Sequence, residues 1–211
     1  MRFRALTAVA ALTALTVLGA VPTAQAAEPA EPSAPATTAE GKLRKLTPEM
    51  ADAVNAARAG AADSVAGVTP HFVCFRAHLR NAGWSNTVCS DGPGFTGLEG
   101  KNDPIDAVRF TVGGGFDFRA QVHFANTGTT SEIHVPSGSE YEFFNNGNAI
   151  EAIHLRSLNH AMKAAAHVQN VGWKGTNTWE RDQWIGSIGE ARWMEAFWID
   201  LPTGLETLTG Q

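Results

Sequence analysis

The rhythm of hydrophobic and polar positions changes several times along the chain. An apolar stretch runs from Ala5 to Val21, with Arg2 and Arg4 ahead of it and the small-x-small sequence Ala24-Gln25-Ala26 behind. The stretch holds three threonines and meets Pro22. This predicts a cleaved signal peptide over 1–26 rather than a membrane anchor, with no membrane span left after cleavage. Residues 27–41, almost all Ala, Pro, Glu, Thr and Ser, offer nothing large to bury and predict a disordered linker. Between 42 and 66, Thr47-Pro48-Glu49 reads as an N-cap, a first-turn proline and a first-turn acid, so one short helix is expected there. Its stripe of Met50, Val54 and Ala57 is thin and predicts packing on the main domain or fraying. After Gly67 apolar and polar residues alternate, as in Val108-Arg109-Phe110-Thr111-Val112 and Ala152-Ile153-His154-Leu155, which is the period of half-buried strands. Glycine-rich breaks such as Gly113-Gly114-Gly115 and Asn145-Asn146-Gly147 punctuate them. Residues 67–202 therefore predict an all-β domain, with 203–211 as a tail.

Within this domain one pattern recurs. The sequence His-x-x-Asn-x-Gly appears with His78, Asn81 and Gly83, with His123, Asn126 and Gly128, and with His167, Asn170 and Gly172. Trp84, Thr129 and Trp173 follow the glycines. An apolar residue, an acid and an alanine close each copy at Asp106, Glu151 and Glu195, and the separation from histidine to acid along the chain is the same in all three. The period is 45 and then 44 residues, which defines three copies at about 72–112, 117–157 and 161–201. The outer copies also share Gly-x-x-Gly, aligned here as Gly94 to Gly97 with Gly186 to Gly189, which the middle copy lacks.

On these residues the chain resembles the clostridial hydrophobic W repeat family, whose repeat resembles His-Val-Gln-Asn-x-Gly-Trp followed by a glycine-containing hairpin and Glu-Ala. The third copy, from His167 to Trp173 with Glu195-Ala196, is the nearest match. The resemblance implies an exported bacterial protein with a role in binding or adhesion. The middle copy departs from the pattern at Thr129, so it is expected to be silent if the tryptophan binds ligand.

A copy of about 45 residues cannot bury enough apolar surface to offset its chain entropy, but three copies can share a core. Three short strands are expected per copy, in the first roughly Val73 to Leu79, Thr87 to Phe95 and Ile105 to Val112. The expected architecture is a three-fold pseudo-symmetric, β-prism-like domain, with a β-trefoil as the alternative. Each histidine and its acid are expected to face one another on neighbouring strands. Asn81, Asn126, Asn170, Gly83, Gly128 and Gly172 are read as turn residues.

Composition and charge narrow the function classes. With 16 Lys and Arg against 21 Asp and Glu, the net charge is −5, and losing Arg2 and Arg4 with the leader takes it to −7. That excludes a basic nucleic-acid footprint. Only Cys74 and Cys89 occur, and export predicts a disulfide between them. No nucleophile motif has a credible context, so a non-catalytic protein without cofactor or metal is expected. A metal held by His78, His123 and His167 together is the disfavoured alternative. Trp84, Trp173, Trp184 and Trp198 are the candidate ligand contacts, although Trp84 and Trp173 also suit a core role. Trp193 and Trp198 would fall on opposite faces of one regular strand. Leu201-Pro202-Thr203-Gly204 lacks the extra residue, apolar span and basic tail of a sortase signal. These features predict a secreted, extracellular or non-covalently surface-associated protein that recognises a glycan. An extracellular-protein-binding adhesion or inhibitor module and a small secreted hydrolase are the alternatives, and the oligomeric state is left open.

Overall fold

The computed structural model describes residues 40–59, 71–91 and 94–202. The expected leader, the linker up to residue 39 and the tail lie outside the described residues. Strand β1 (Glu40–Lys45) and helix α1 (Pro48–Ala59) come first. Copy one contributes β2 (Phe72–Leu79), β3 (Gly83–Trp84), β4 (Val88–Cys89), β5 (Thr96–Gly97) and β6 (Ile105–Gly113). Copy two contributes β7 (Phe118–Phe124), β8 (Gly128–Thr129), β9 (Ile133–Val135), β10 (Ser139–Phe144) and β11 (Ile150–Ser157). Copy three contributes β12 (Met162–Val168), β13 (Gly172–Glu180), β14 (Asp182–Gly186) and β15 (Met194–Asp200). The described domain is all-β apart from α1, and no described helix is long and apolar enough to cross a membrane.

In every copy the strand that carries the histidine pairs antiparallel with the strand that carries the acid, and at one register: His78 opposite Ala107, His123 opposite Ala152, His167 opposite Ala196. The strand between them leaves its own copy. β10 of copy two joins β6 of copy one, β14 of copy three joins β11 of copy two, and β5 of copy one joins β15 of copy three. Three antiparallel sheets result, each completed by a neighbour's strand. This corrects the single strand expected over Thr87 to Phe95, because β4 stays on β2 whereas β5 crosses to the third copy.

The exchange also corrects the alignment of the glycines. Gly97 lies opposite Ala196 and Gly186 lies opposite Ala152, so the matching turns are Gly97-Leu98-Glu99-Gly100 and Gly186-Ser187-Ile188-Gly189. In the middle copy Phe144 takes the first position, opposite Ala107, and Gly147 keeps the second, with φ of 79°. A Cβ on Gly97 would stand 2.2 Å from the Glu195 carbonyl oxygen, and one on Gly186 would stand 2.3 Å from that of Glu151. The crossing strand approaches so closely that only glycine fits at these two places.

Alternation along the strands turns one face of each sheet into a common core. On β7, Phe118, Ala120, Val122 and Phe124 are buried and the residues between them are half-buried. Large and small residues compensate between copies: Phe75 stands where the others have Ala120 and Ala164, and Phe197 stands where they have Val108 and Ile153. The Phe75 and Phe197 rings meet at 5.1 Å, so one copy fills the space another leaves.

The segment before the copies holds the expected short helix and, ahead of it, a strand that was not expected. Residues 40–45 form an edge strand paired with β10 over its whole length. Burial does not drive it, since Leu43 is exposed; the open backbone edge of β10 and an ion pair from Arg44 to Glu142 at 3.3 Å do. Helix α1 begins at its Thr47 cap, whose Oγ1 accepts the Met50 N–H at 3.2 Å. Val54 packs with Phe72 on the Cys74–Cys89 disulfide, which ties β4 to β2. The bridge closes a 15-residue separation. Replacing both cysteines with alanine is expected to cost about 3 kcal/mol by loop-closure entropy. Urea denaturation measures this, and equal midpoints for the two proteins would reject it.

Candidate functional site

Buried carboxylates need partners, and the repeat supplies them in register. His78 Nδ1 lies 2.6 Å from Asp106 Oδ1, and His167 Nδ1 lies 3.0 Å from Glu195 Oε2. In copy two His123 Nε2 stands 3.5 Å from Glu151 Oε2, while its Nδ1 lies 2.7 Å from Thr129 Oγ1. Thr129 occupies the cross-strand place that tryptophan holds elsewhere: Trp84 meets His78 edge-on at 5.2 Å, and Trp173 meets His167 at 5.6 Å. Each imidazole is thus held between its own acid and the side chain opposite. The three histidines serve three different sheets and do not converge on a shared ion. Among the described residues no group of three or more His, Cys, Asp or Glu is placed to hold a metal.

The turn residues behave similarly in copies two and three, where Asn126 and Asn170 take φ of 66° and 57°. Asparagine tolerates this left-handed conformation, which most residues avoid. Gly83, Gly128 and Gly172 follow with φ of 79°, 84° and 95°. Asn81 differs: its backbone N–H and its Nδ2 both donate to buried Asp103 Oδ1, at 3.1 and 3.0 Å.

The four candidate tryptophans have separate surroundings. Trp84 is half-buried, and the Arg76 and Arg109 guanidinium carbons stand 4.8 and 4.2 Å from its ring centroid. Arg109 is held by Glu142 at 2.7 Å, whereas burial and the neighbouring Arg109 lower the pKa of Arg76. The ring therefore serves as a partner for cations inside the protein. Trp198 is half-buried on β15. Trp193 lies just before that strand, so the alternation expected for this pair does not apply, and neither ring is among the exposed ones. Trp173 and Trp184 are 39% and 40% exposed. Trp184 stacks on His154 at 4.9 Å, and His154 Nε2 pairs with Asp182 at 2.5 Å. Trp173 meets the exposed ring of Phe95 edge-on at 5.5 Å.

His167 and Glu195 also line an open depression of about 500 Å³ at the junction of copies three and one. One wall is the Asn-x-Gly turn with Gln169 and Asn170, and the other is the crossing loop with Gly100 and Asn102. Gly100 N–H donates to Glu195 Oε2 at 3.0 Å, and Gln169 Nε2 donates to Asn102 Oδ1 at 2.8 Å, so polar bonds hold the two copies across it. Glu99 Oε1 stands 3.9 Å from His167 Nε2 on the other side of the ring. At the copy-one junction Arg80 stands in the place of Gln169 and its Nη2 donates to the Gly147 carbonyl at 2.6 Å. Ala125, in that place in copy two, has no group to extend. The Asn102 wall and the contact of Phe95 with Trp173 were not legible in the sequence, because they come from a segment exchanged between distant copies. The preserved spacing from Gly97 and Gly186 to their acids was the signal that could have found them.

Residues 167–202 match the model of a family described as clostridial hydrophobic W, the stretch that carries His167, Trp173, Trp184 and Glu195. No match is found among curated proteins or among solved structures.

Proposed function

Proceeding from the chain's clostridial hydrophobic W repeat at residues 167–202, we propose that this is an exported, non-catalytic recognition protein that binds a cell-wall or environmental glycan. The depression beside Trp173 carries the reading. It is lined by Asn102, Gln169, Asn170 and the His167–Glu195 pair, and the exposed ring of Trp173, which follows the lining Gly172, meets His167 edge-on and the exposed Phe95 ring beyond it. A sugar presents apolar C–H faces to stack on a ring and hydroxyls to bond with such groups. A protein-binding surface would instead be expected to centre on apolar anchors with polar groups at the rim. The exchange of strands among all three copies supports reading the domain as a closed, prism-like body, which holds both walls of the depression rigidly. The apolar leader at 5–21 and its following Ala24-Gln25-Ala26 support export.

Polysaccharide pull-down and glycan-array binding test this. Trp173→Ala is expected to weaken binding about tenfold or more, the scale of an interface hot spot. Trp84→Phe, inside its arginine cage, is expected to leave binding unchanged. Full binding by Trp173→Ala, or no polysaccharide bound by a folded protein, would overturn the proposal.

A further inference from the structure

The repeat phase identifies a second group of residues that the recognition site does not use. One equivalent position, just before the first strand of each copy and equally far ahead of His78, His123 and His167, holds His71, Phe116 and His160. These equivalent residues meet. The His71 and His160 ring centroids lie 4.0 Å apart, tilted by 39°, and Phe116 lies 6.0 Å from His160.

His160 is held in place from several directions. Ser157 Oγ accepts the His160 N–H at 3.2 Å. Asn159 Nδ2 donates to the Gly115 carbonyl at 3.1 Å, and Asn159 Oδ1 accepts the Asp117 N–H at 3.1 Å, so the loop of His160 is stitched to the loop of Phe116. His71 is exposed. Burial first, then the charges of His71 and Arg181, lower the pKa of His160. Phe116 shows that a plain ring satisfies packing at this position. The imidazoles in the other two copies therefore add ligand chemistry that packing does not require.

We propose that His71 and His160 together bind a divalent first-row metal ion, with copper(II) the tightest. Imidazole nitrogen suits zinc, nickel and copper, and copper(II) heads the affinity order for such ligands. With metal–nitrogen bonds of about 2.0–2.1 Å, an ion shared at right angles sets ring centroids about 4.5 Å apart against the 4.0 Å seen here, so the exposed His71 ring must turn and move outward to present a nitrogen beside that of His160. Among the described residues no third His, Cys, Asp or Glu completes a cluster, which leaves the remaining positions to water. Such a site is an open, two-imidazole site of modest affinity rather than a closed structural one.

The test titrates copper(II) into the full chain near neutral pH, with glycine as a weak competing chelator, followed by calorimetry and electron paramagnetic resonance. One saturable site with two coordinated imidazole nitrogens is expected. His71→Ala and His160→Phe should each weaken it at least tenfold, the phenylalanine reproducing the ring found at Phe116. Phe116→His, which supplies a third imidazole, should tighten it at least tenfold. Absence of saturable binding, or binding left unchanged by His71→Ala, would overturn the proposal. The exposed position of His71 keeps that variant decisive even if His160→Phe folds poorly.

Discussion

Replacing Phe110 with alanine is expected to cost about 3–5 kcal/mol, the range for deleting a fully buried phenylalanine ring. The residue is completely buried on β6 and its ring touches three others: Phe118 at 5.1 Å, Phe197 at 6.1 Å and Phe143 at 6.2 Å. Phe118 and Phe143 belong to copy two and Phe197 to copy three, so the substitution removes contacts between copies as well as apolar surface. No single flexible side chain can collapse into the space, because its neighbours are themselves buried strand residues. Urea unfolding followed by tryptophan fluorescence gives the value directly. Leu158→Ala, at a position 50% exposed, serves as the control and should stay within about 0.5 kcal/mol of the parent. A Phe110→Ala loss near that of the control would mean that the copies do not share their core.

Gly186→Ala is expected to be nearly as damaging, at about 2–5 kcal/mol, from backbone strain together with overpacking. Gly186 has φ of 96°, and a Cβ there would come within 2.3 Å of the Glu151 carbonyl oxygen and 2.9 Å of the Ala152 Cα. Both are backbone atoms of the sheet that receives β14, so relief requires the exchanged strand to move away. Gly172→Ala isolates the conformational part, because φ there is 95° but nothing lies within 4 Å of the added carbon. That variant should lose only about 1–2 kcal/mol. Equal losses for the two glycines in thermal or urea unfolding would show that the close approach of the crossing strand contributes nothing.

The repeat histidines and acids illustrate how far the sequence could be read. Their separation along the chain stays constant because the two strands pair at one register, and a slip by one residue would turn every side chain to the wrong face. The alternation read in Val108-Arg109-Phe110-Thr111-Val112 picked out Val108, Phe110 and Val112 of the common core, but Thr111 is buried as well, and Ala152 to Leu155 on β11 are buried on both faces where a half-buried strand was expected. The cap at Thr47 was legible since it depends on residues within one turn. By contrast, nothing local distinguishes β5 from β4, although one crosses to copy three and the other stays at home. The strand over 40–45 was equally hidden, because it is created by the open edge of β10 and not by its own pattern.

The four tryptophans divide along the same line. Their composition marks them all as candidate platforms, yet Trp84 on β3 is claimed by Arg76 from β2 and Arg109 from β6. Trp173 stays exposed, and the ring beside it, Phe95, comes from another copy. By itself the sequence determined the all-β class, the period and which residues recur, since strand periodicity and turn chemistry act over a few neighbouring residues. Only the tertiary structure decided which copy completes which sheet, which rings remain exposed and that His71 meets His160. Those outcomes depend on contacts between segments that lie in different copies, whose cost in chain entropy and gain in burial are settled only when the whole body closes.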